Sequence, residues 1–233
     1  MNIAQLLPTT LIEYPGKVSA LIYTAGCNFR CPFCHNSELV LPARIRELPL
    51  IPEDEVIALL KDRIGFLDAL SITGGEPTLQ PDLAEFLARV KALGYLIKLD
   101  TNGSNPDVLA RLFDMRLVDY VAMDVKGPEE RYSELAGVNV NTDAIKETIR
   151  LIIDRAPDYE FRTTVAPTMS ADEIEETTRL IKGAKRYFLQ TFVVPEEKEI
   201  VDPSWSGRAA LSREELHAVW EKIKDRFPEG GVR

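Results

Sequence analysis

The chain has 233 residues, of which 45% are hydrophobic and 28% are charged. This length fits one large domain or two small ones, and the composition excludes disordered, collagen-like and fibrous proteins. The 37 acidic residues outnumber the 28 basic residues and give a net charge of −9. Because a net anion is repelled by phosphate groups and anionic lipids, we expect neither nucleic acid nor a membrane surface as a partner.

Two further features concern the cellular compartment. The sequence contains no run of about 18 consecutive apolar residues, the length that a membrane-spanning helix needs. Its first residues, MNIAQLLPTTLIEYPGK, lack the basic segment and apolar run that are typical of a secretory signal. We therefore expect a cytoplasmic protein in a reducing compartment.

Strand and helix patterns alternate along the chain, which is typical of a parallel α/β sheet. In chain order, the sequence predicts strand 18–24, helix 52–64, strand 70–73, helix 82–93, strand 95–99, helix 106–115, strand 120–123, helix 142–155, strand 159–165, helix 170–181, strand 186–194 and helix 212–225. Within helix 82–93, for example, Leu83, Phe86, Leu87 and Val90 recur at the spacing of one helical face.

Six strand–helix units are fewer than the eight that close a barrel. The predicted fold is therefore α/β, an open, partial (β/α)6 TIM-like barrel. Its active site is expected at the C-terminal ends of the strands, because the loops there open on one face. We expect a single domain over residues 1–233, with a core at 17–195 and a C-terminal helix at 212–225.

All three cysteines of the chain, Cys27, Cys31 and Cys34, lie in the segment GCNFRCPFCHN. An odd number of cysteines packed so closely is not a disulfide framework and indicates a metal or cluster site. One alternative is a zinc site that adds His35 as the fourth ligand, although adjacent side chains rarely converge on one ion. The other is a 4Fe–4S cluster, in which three thiolates leave one iron open to a substrate or cofactor.

A glycine-rich loop, GGEP, follows the strand predicted at 70–73. Gly74 and Gly75 allow a sharp turn and the close approach of a ligand. The carboxylate of Glu76 is suited to accept hydrogen bonds from an ammonium group. An ordinary strand-to-helix turn with an exposed acid is the alternative.

Charged residues follow the next strands. Asp100 and Asp124, together with Thr101, offer oxygens that suit a hard cation, and each aspartate has the alternative role of a helix cap. Lys126 is placed to pair with a carboxylate. Arg162 alternates with apolar residues on strand 159–165, so it either points into the barrel or forms an outward salt bridge.

With these motifs in place, the chain resembles the radical S-adenosylmethionine (SAM) superfamily. The C-x3-C-x2-C spacing, with Phe33 before the last cysteine, matches the signature of that superfamily, and GGEP is a second match. More narrowly, YPGKVSALIYTAGCNFRCPFCHN, DTNG and MDVK resemble activases of glycyl-radical enzymes. The similarity is greatest to the activases of anaerobic ribonucleoside-triphosphate reductase and of pyruvate formate-lyase, and it extends over residues 10–195.

The resemblance implies a 4Fe–4S cluster on the three cysteines, whose open iron binds the amino and carboxylate groups of SAM. The SAM contacts that it implies are Phe33, Gly74, Gly75, Glu76, Asn102, Asp124, Lys126, Arg162 and Phe192. It also implies that Asp100, Thr101 and Asp124 bind a monovalent cation near the SAM carboxylate.

The implied reaction is the reductive cleavage of SAM, followed by hydrogen removal from a backbone glycine of a large partner enzyme. The expected partners are an anaerobic ribonucleotide reductase and, as electron donor, flavodoxin or ferredoxin. Phe192 stands where the formate-lyase activases carry a histidine, which favours the reductase type. The alternative is a small-molecule reaction like that of 7-carboxy-7-deazaguanine synthase, although His35-Asn36 replaces the Asp-Thr that often follows the third cysteine there.

Overall fold

The computed structural model describes residues 1–193 and 199–233, and its centre is an eight-stranded sheet. The strands are β1 (Ile3–Thr10), β2 (Ser19–Thr24), β3 (Ala69–Gly74), β4 (Leu96–Thr101), β5 (Tyr120–Asp124), β6 (Tyr159–Val165), β7 (Arg186–Thr191) and β8 (Glu229–Val232). They lie side by side in chain order. β1 is antiparallel to β2, and every later pair is parallel.

Helices connect these strands. They are α1 (Ser37–Val40), α2 (Pro42–Ile45), α3 (Glu53–Asp62), α4 (Leu83–Ala92), α5 (Pro106–Asp114), α6 (Tyr132–Ala136), α7 (Thr142–Arg155), α8 (Ala171–Leu180) and α9 (Arg213–Ile223). In the part of the chain that the structure describes, none of these helices has the length and apolar character to cross a membrane.

The predicted partial barrel is confirmed, and its six predicted strands are β2 to β7. The two edge strands were not predicted. Pro8 interrupts β1, and proline within a strand pattern is typical of an edge. β8 contains Gly230 and Gly231, and glycine is unfavourable in strands. The predicted end of the sixth strand, residue 194, lies outside the described residues.

The helices pack on the outer face of the sheet through apolar stripes. Leu109, Leu112 and Phe113, for instance, form the buried face of α5. α8 and α9 each begin with a capping box, in which a serine and a glutamate satisfy the first backbone N–H groups. This packing leaves the strand ends and their loops free to build a site.

The inner face of the barrel carries charge. Because strand side chains alternate between the two faces, Lys98 and Asp100 on β4 point to the same side. Asp124 on β5 is in register with Arg162 on β6. Lys98, Asp100 and Glu160 are all buried there. Buried ionic groups require partners of opposite charge. Lys98 pairs with Asp100, and Glu160 pairs with Arg233.

Candidate active site

The cysteine loop follows β2 and is fixed mainly by backbone hydrogen bonds. Gly26 adopts a φ of 102°, which favours glycine. The N–H of Cys34 donates to the carbonyl of Cys31 at 3.0 Å. The carbonyl of Cys34 in turn accepts from the N–H of Val201 at 3.1 Å. The loop is therefore held by a hydrogen bond within itself and by one from a segment that is distant in sequence.

The GGEP loop lies directly against the cysteine loop. Gly74 has a φ of 118°, a conformation that L side chains rarely adopt. A Cβ on Gly75 would lie 2.0 Å from the carbonyl oxygen of Gly26. The N–H of Glu76 donates to that same oxygen at 2.8 Å. Glycine at position 75 is thus required by the contact between the two loops.

Glu76 is fully buried and lies behind the loops. Its Oε1 accepts from the N–H of Thr78 at 3.1 Å and from the hydroxyl of Thr101 at 2.9 Å. Its Oε2 accepts from the N–H of Asn102 at 2.7 Å. Burial raises the pKa of Glu76, while these hydrogen bonds oppose the shift. In this arrangement Glu76 joins the end of β3 to the end of β4.

A row of alternating charges lies beside Glu76. One oxygen of Asp100 accepts from Lys98, and the other accepts from Arg162 at 3.1 Å. Arg162 also donates from Nε to Asp124 at 3.0 Å. The other oxygen of Asp124 lies 3.4 Å from Nζ of Lys126. We call Lys98, Asp100, Arg162, Asp124 and Lys126 the charge row.

The charge row explains the protonation of its members. Burial raises the pKa of Asp124, but Arg162 and Lys126 outweigh burial and lower the pKa to about 2. For Asp100, burial is likewise outweighed by Arg162 and Lys98, and the pKa is lowered. Both carboxylates are therefore ionised at neutral pH and paired with side-chain cations.

The predicted monovalent cation at Asp100, Thr101 and Asp124 does not fit these contacts. The aspartate oxygens already face ammonium or guanidinium groups. The hydroxyl of Thr101 donates to Glu76 and accepts from the N–H of Gly103 at 3.1 Å. A metal cation here would meet repulsion from three positive side chains.

Phe33 and Phe192 belong to an aromatic group at the edge of the cysteine loop. Their rings lie 6.4 Å apart at an interplanar angle of 88°, an edge-to-face arrangement. Trp205 packs on Phe33 at 6.1 Å, and His35 packs on Phe192 at 5.5 Å. Phe33 and Phe192, both among the implied SAM contacts, are thus neighbours in the structure.

One open pocket collects most of the predicted site residues. Those in its wall are Cys27, Cys31, Cys34, Gly74, Gly75, Asp100, Thr101, Asn102, Asp124 and Lys126. Glu76 and Arg162 lie behind this wall, and Phe33 and Phe192 lie beside it. Thr73 also lines the pocket although it was not predicted as a site residue, and so does Asn36, which the sequence distinguished only as a difference from the synthases. The signal in the sequence was their position: Thr73 directly precedes GGEP, and Asn36 lies two residues after Cys34.

The residue of greatest interest that sequence reasoning missed is Lys98. It lies two residues before Asp100, and period-2 alternation puts both side chains on one face of β4. A polar residue in an otherwise apolar strand was the signal that could have identified it.

The three cysteines fit a cluster better than a single ion. They are free thiols around one pocket. Within residues 1–193 and 199–233, no three histidine, cysteine or acidic side chains are arranged around one ion position. In a cubane cluster each thiolate binds a different iron, so a common ion position is not required. Burial raises the pKa of Cys27 to about 11 and of Cys31 to about 12, and metal ligation requires the loss of these protons.

Comparison with known proteins agrees with this geometry. A protein of Methanocaldococcus jannaschii named "Putative glycyl-radical enzyme activating enzyme" is 35% identical over 230 residues, which cover 95% of this chain and 91% of that protein. A 7-carboxy-7-deazaguanine synthase of Methanopyrus kandleri is 35% identical over 138 residues, which cover 50% of this chain and 52% of the synthase. The chain thus spans about half the length of the second relative.

The fold is shared with solved structures. The crystal structure of Streptococcus suis SuiB bound to S-adenosylmethionine superposes with a TM-score of 0.66 at 17% identity, over 91% of this chain and 49% of SuiB. The chain spans about half of that structure, and the likeness concerns the fold alone. The model of the radical SAM superfamily matches residues 21–181. On this evidence the chain belongs to the radical SAM superfamily.

Proposed function

We propose that this protein is an activase that uses SAM to generate a glycyl radical on a partner enzyme. The observation that carries the proposal is the single pocket shared by the three cysteines and the loops GGEP, DTNG and DVK. The relative named as an activating enzyme supports it, because the similarity covers 91% of that protein. An anaerobic ribonucleotide reductase is the proposed partner, and flavodoxin or ferredoxin is the proposed electron donor.

In this proposal Cys27, Cys31 and Cys34 hold a 4Fe–4S cluster, and SAM binds in the same pocket. When reduced, such a cluster supplies the electron that cleaves the sulfonium of SAM and so provides the oxidant for hydrogen removal.

The chain itself contributes position and charge. Gly74 and Gly75 let the GGEP loop pack closely against β2 and the cysteine loop at the pocket wall. Asn102 donates from its side chain to Asn28 at 2.9 Å beside Cys27. Lys126 and Arg162 place positive charge where an anionic carboxylate group of the ligand is expected. Phe33 and Phe192 provide an apolar edge for an adenine ring. Glu76 holds the loops in place from behind.

The small-molecule alternative is favoured by one observation, the similarity to the Methanopyrus kandleri synthase. That similarity covers half of each chain, whereas the similarity to the activating enzyme covers nearly all of both. We therefore place the synthase-like reaction second.

The test begins with anaerobic protein, in which iron and sulfide are quantified and 5′-deoxyadenosine is measured after SAM and dithionite are added. We expect about four irons per chain. SAM cleavage should be abolished by Cys31→Ala and retained by His217→Ala, because His217 is exposed on α9. Zinc in place of iron would overturn the cluster assignment. The protein is then incubated with SAM and a ribonucleotide reductase that carries a C-terminal glycyl-radical loop. A glycine-centred EPR doublet supports the activase, while turnover of a free pterin-type substrate without a protein partner supports the alternative.

A further inference from the structure

Lys98 is a buried lysine inside the barrel, and among residues 1–193 and 199–233 its ammonium group has one anionic partner. Its side chain is 2% exposed, and its ammonium group contacts one oxygen of Asp100. Burying a charged group is unfavourable unless a partner compensates for it. Asp100 provides that compensation and at the same time forms part of the pocket wall. Lys98 therefore contacts a residue of the pocket wall, Asp100, from the side of the barrel interior.

The charge row contains three side-chain cations and two carboxylates, which leaves one net positive charge. Glu160, which is also buried, accepts two hydrogen bonds from Arg233 at 3.1 and 3.0 Å. Including this second pair leaves the balance unchanged. An additional metal cation beside Asp100 would therefore add positive charge to a row that is already positive, and like charges repel.

We propose that the ammonium group of Lys98 takes the place of a monovalent metal ion beside Asp100. Lys98 is then a positioning residue: it neutralises and orients Asp100, and Asp100 with Arg162 orients Asp124 at the pocket. The SAM site of this protein consequently works without an alkali metal ion. The inference rests on the proposed SAM site, but it is independent of the identity of the partner enzyme.

The test compares salts of different cations on the cluster-loaded protein. The SAM dissociation constant and the thermal unfolding temperature are measured in potassium, sodium and choline chloride at equal ionic strength. For the unmodified protein we expect dissociation constants that agree within about twofold and unfolding temperatures that coincide. A dissociation constant about tenfold lower in potassium or sodium than in choline would overturn the inference.

Lys98→Met removes the charge and keeps most of the apolar side chain. We expect its SAM binding to be at least about tenfold weaker in choline chloride and to recover when potassium or sodium is added. A merely structural lysine would give a loss that no cation restores, and that result would contradict the proposal. Lys91→Met is the matched control. Lys91 forms an ion pair of 2.9 Å with Asp119, and this pair lies outside the pocket wall. It should behave like the unmodified protein in every salt.

Two measurements keep the test decisive. If Lys98→Met does not fold, the more polar variant Lys98→Gln replaces it. The response of the unmodified protein to each cation tests the inference without any variant. Thermal unfolding is also measured without SAM, where a potassium-dependent increase is expected for the Lys98 variant alone. This readout does not involve radical formation, so it separates a failure of the inference from a failure of the proposed function.

Discussion

The carboxylates at the ends of the strands form two neighbouring sets, Glu76 alone and Asp100 with Asp124, and the hydrogen-bond partners of the two sets differ in charge. Glu76 accepts hydrogen bonds from hydroxyl and backbone N–H groups, all of them neutral. Asp100 and Asp124, by contrast, contact ammonium and guanidinium groups. Because its donors come from two segments, Thr78 after GGEP and the adjacent Thr101 and Asn102 at the end of β4, Glu76 fixes how the two loops meet. The charge row instead determines the electrostatic potential at the pocket.

Removal of Arg162 is expected to have the largest effect, because Arg162 is the link between Asp100 and Asp124. Arg162→Met leaves both carboxylates short of a partner, and loss of one member of a buried ionic group costs about 4 kcal/mol. The free energy of unfolding is measured by anaerobic chemical denaturation of the cluster-loaded protein. Arg155→Met, which breaks an exposed pair with Asp114, should cost less than about 0.5 kcal/mol.

The pH dependence of this variant distinguishes ionic from neutral partners. With Arg162 present, the pKa of Asp124 is about 2, so the folded protein keeps this carboxylate ionised between about pH 7 and pH 5. Without Arg162, burial is expected to raise the pKa of the folded carboxylate above its unfolded value. The folded state then gains a proton as the pH falls, so the destabilisation should shrink from about pH 7 to pH 5. A loss of equal size at both pH values would show that Arg162 acts by packing.

Glu76→Gln is expected to have an intermediate effect. In Glu76 both carboxylate oxygens accept hydrogen bonds. In glutamine one of these oxygens is replaced by an NH2 group, which cannot accept a hydrogen bond from the donors on that side. Leaving a buried donor such as the Asn102 N–H unsatisfied costs about 2 kcal/mol. Glu215→Gln, in the exposed capping box of α9, is the matched control and should change the stability by less than about 0.5 kcal/mol. If Glu76→Gln were neutral, the loops would be held by their backbone contacts alone.

The contrast between the two sets also shows what the sequence could predict. The cysteines were predictable because three thiols at such spacing have few ordinary structural roles. The loops GGEP, DTNG and DVK were predictable as a group because they follow consecutive parallel strands. The six central strands were predictable from their apolar runs, whereas edge strands β1 and β8 carry proline and glycine.

The partners of individual carboxylates were not predictable. Glu76 was predicted to accept hydrogen bonds from an ammonium group of a ligand, but its contacts with Thr78, Thr101 and Asn102 within the protein were not predicted. These contacts depend on how the end of β4 lies beside the end of β3, and no pattern in the sequence encodes that distance. Lys98 was overlooked because a lysine is ordinarily a solvated surface group. Its two-residue spacing from Asp100 indicates an ion pair only once both side chains are known to lie on the inner face of the barrel.

Thr101→Val is expected to have the smallest effect and to isolate one neutral contact of Glu76. The hydroxyl of Thr101 donates to Glu76 at 2.9 Å and accepts from the Gly103 N–H at 3.1 Å. Valine keeps the shape but removes both hydrogen bonds, so we expect a loss of about 1.5 kcal/mol in the free energy of unfolding. The matched control is Thr177→Val in α8, where a buried threonine donates to the carbonyl of Glu173 in its own helix. That carbonyl remains within the helical ladder, so the control should lose about 0.5 kcal/mol. Equal losses in the two variants would mean that Glu76 does not depend on Thr101, and that it is held by Thr78 and by the N–H of Asn102.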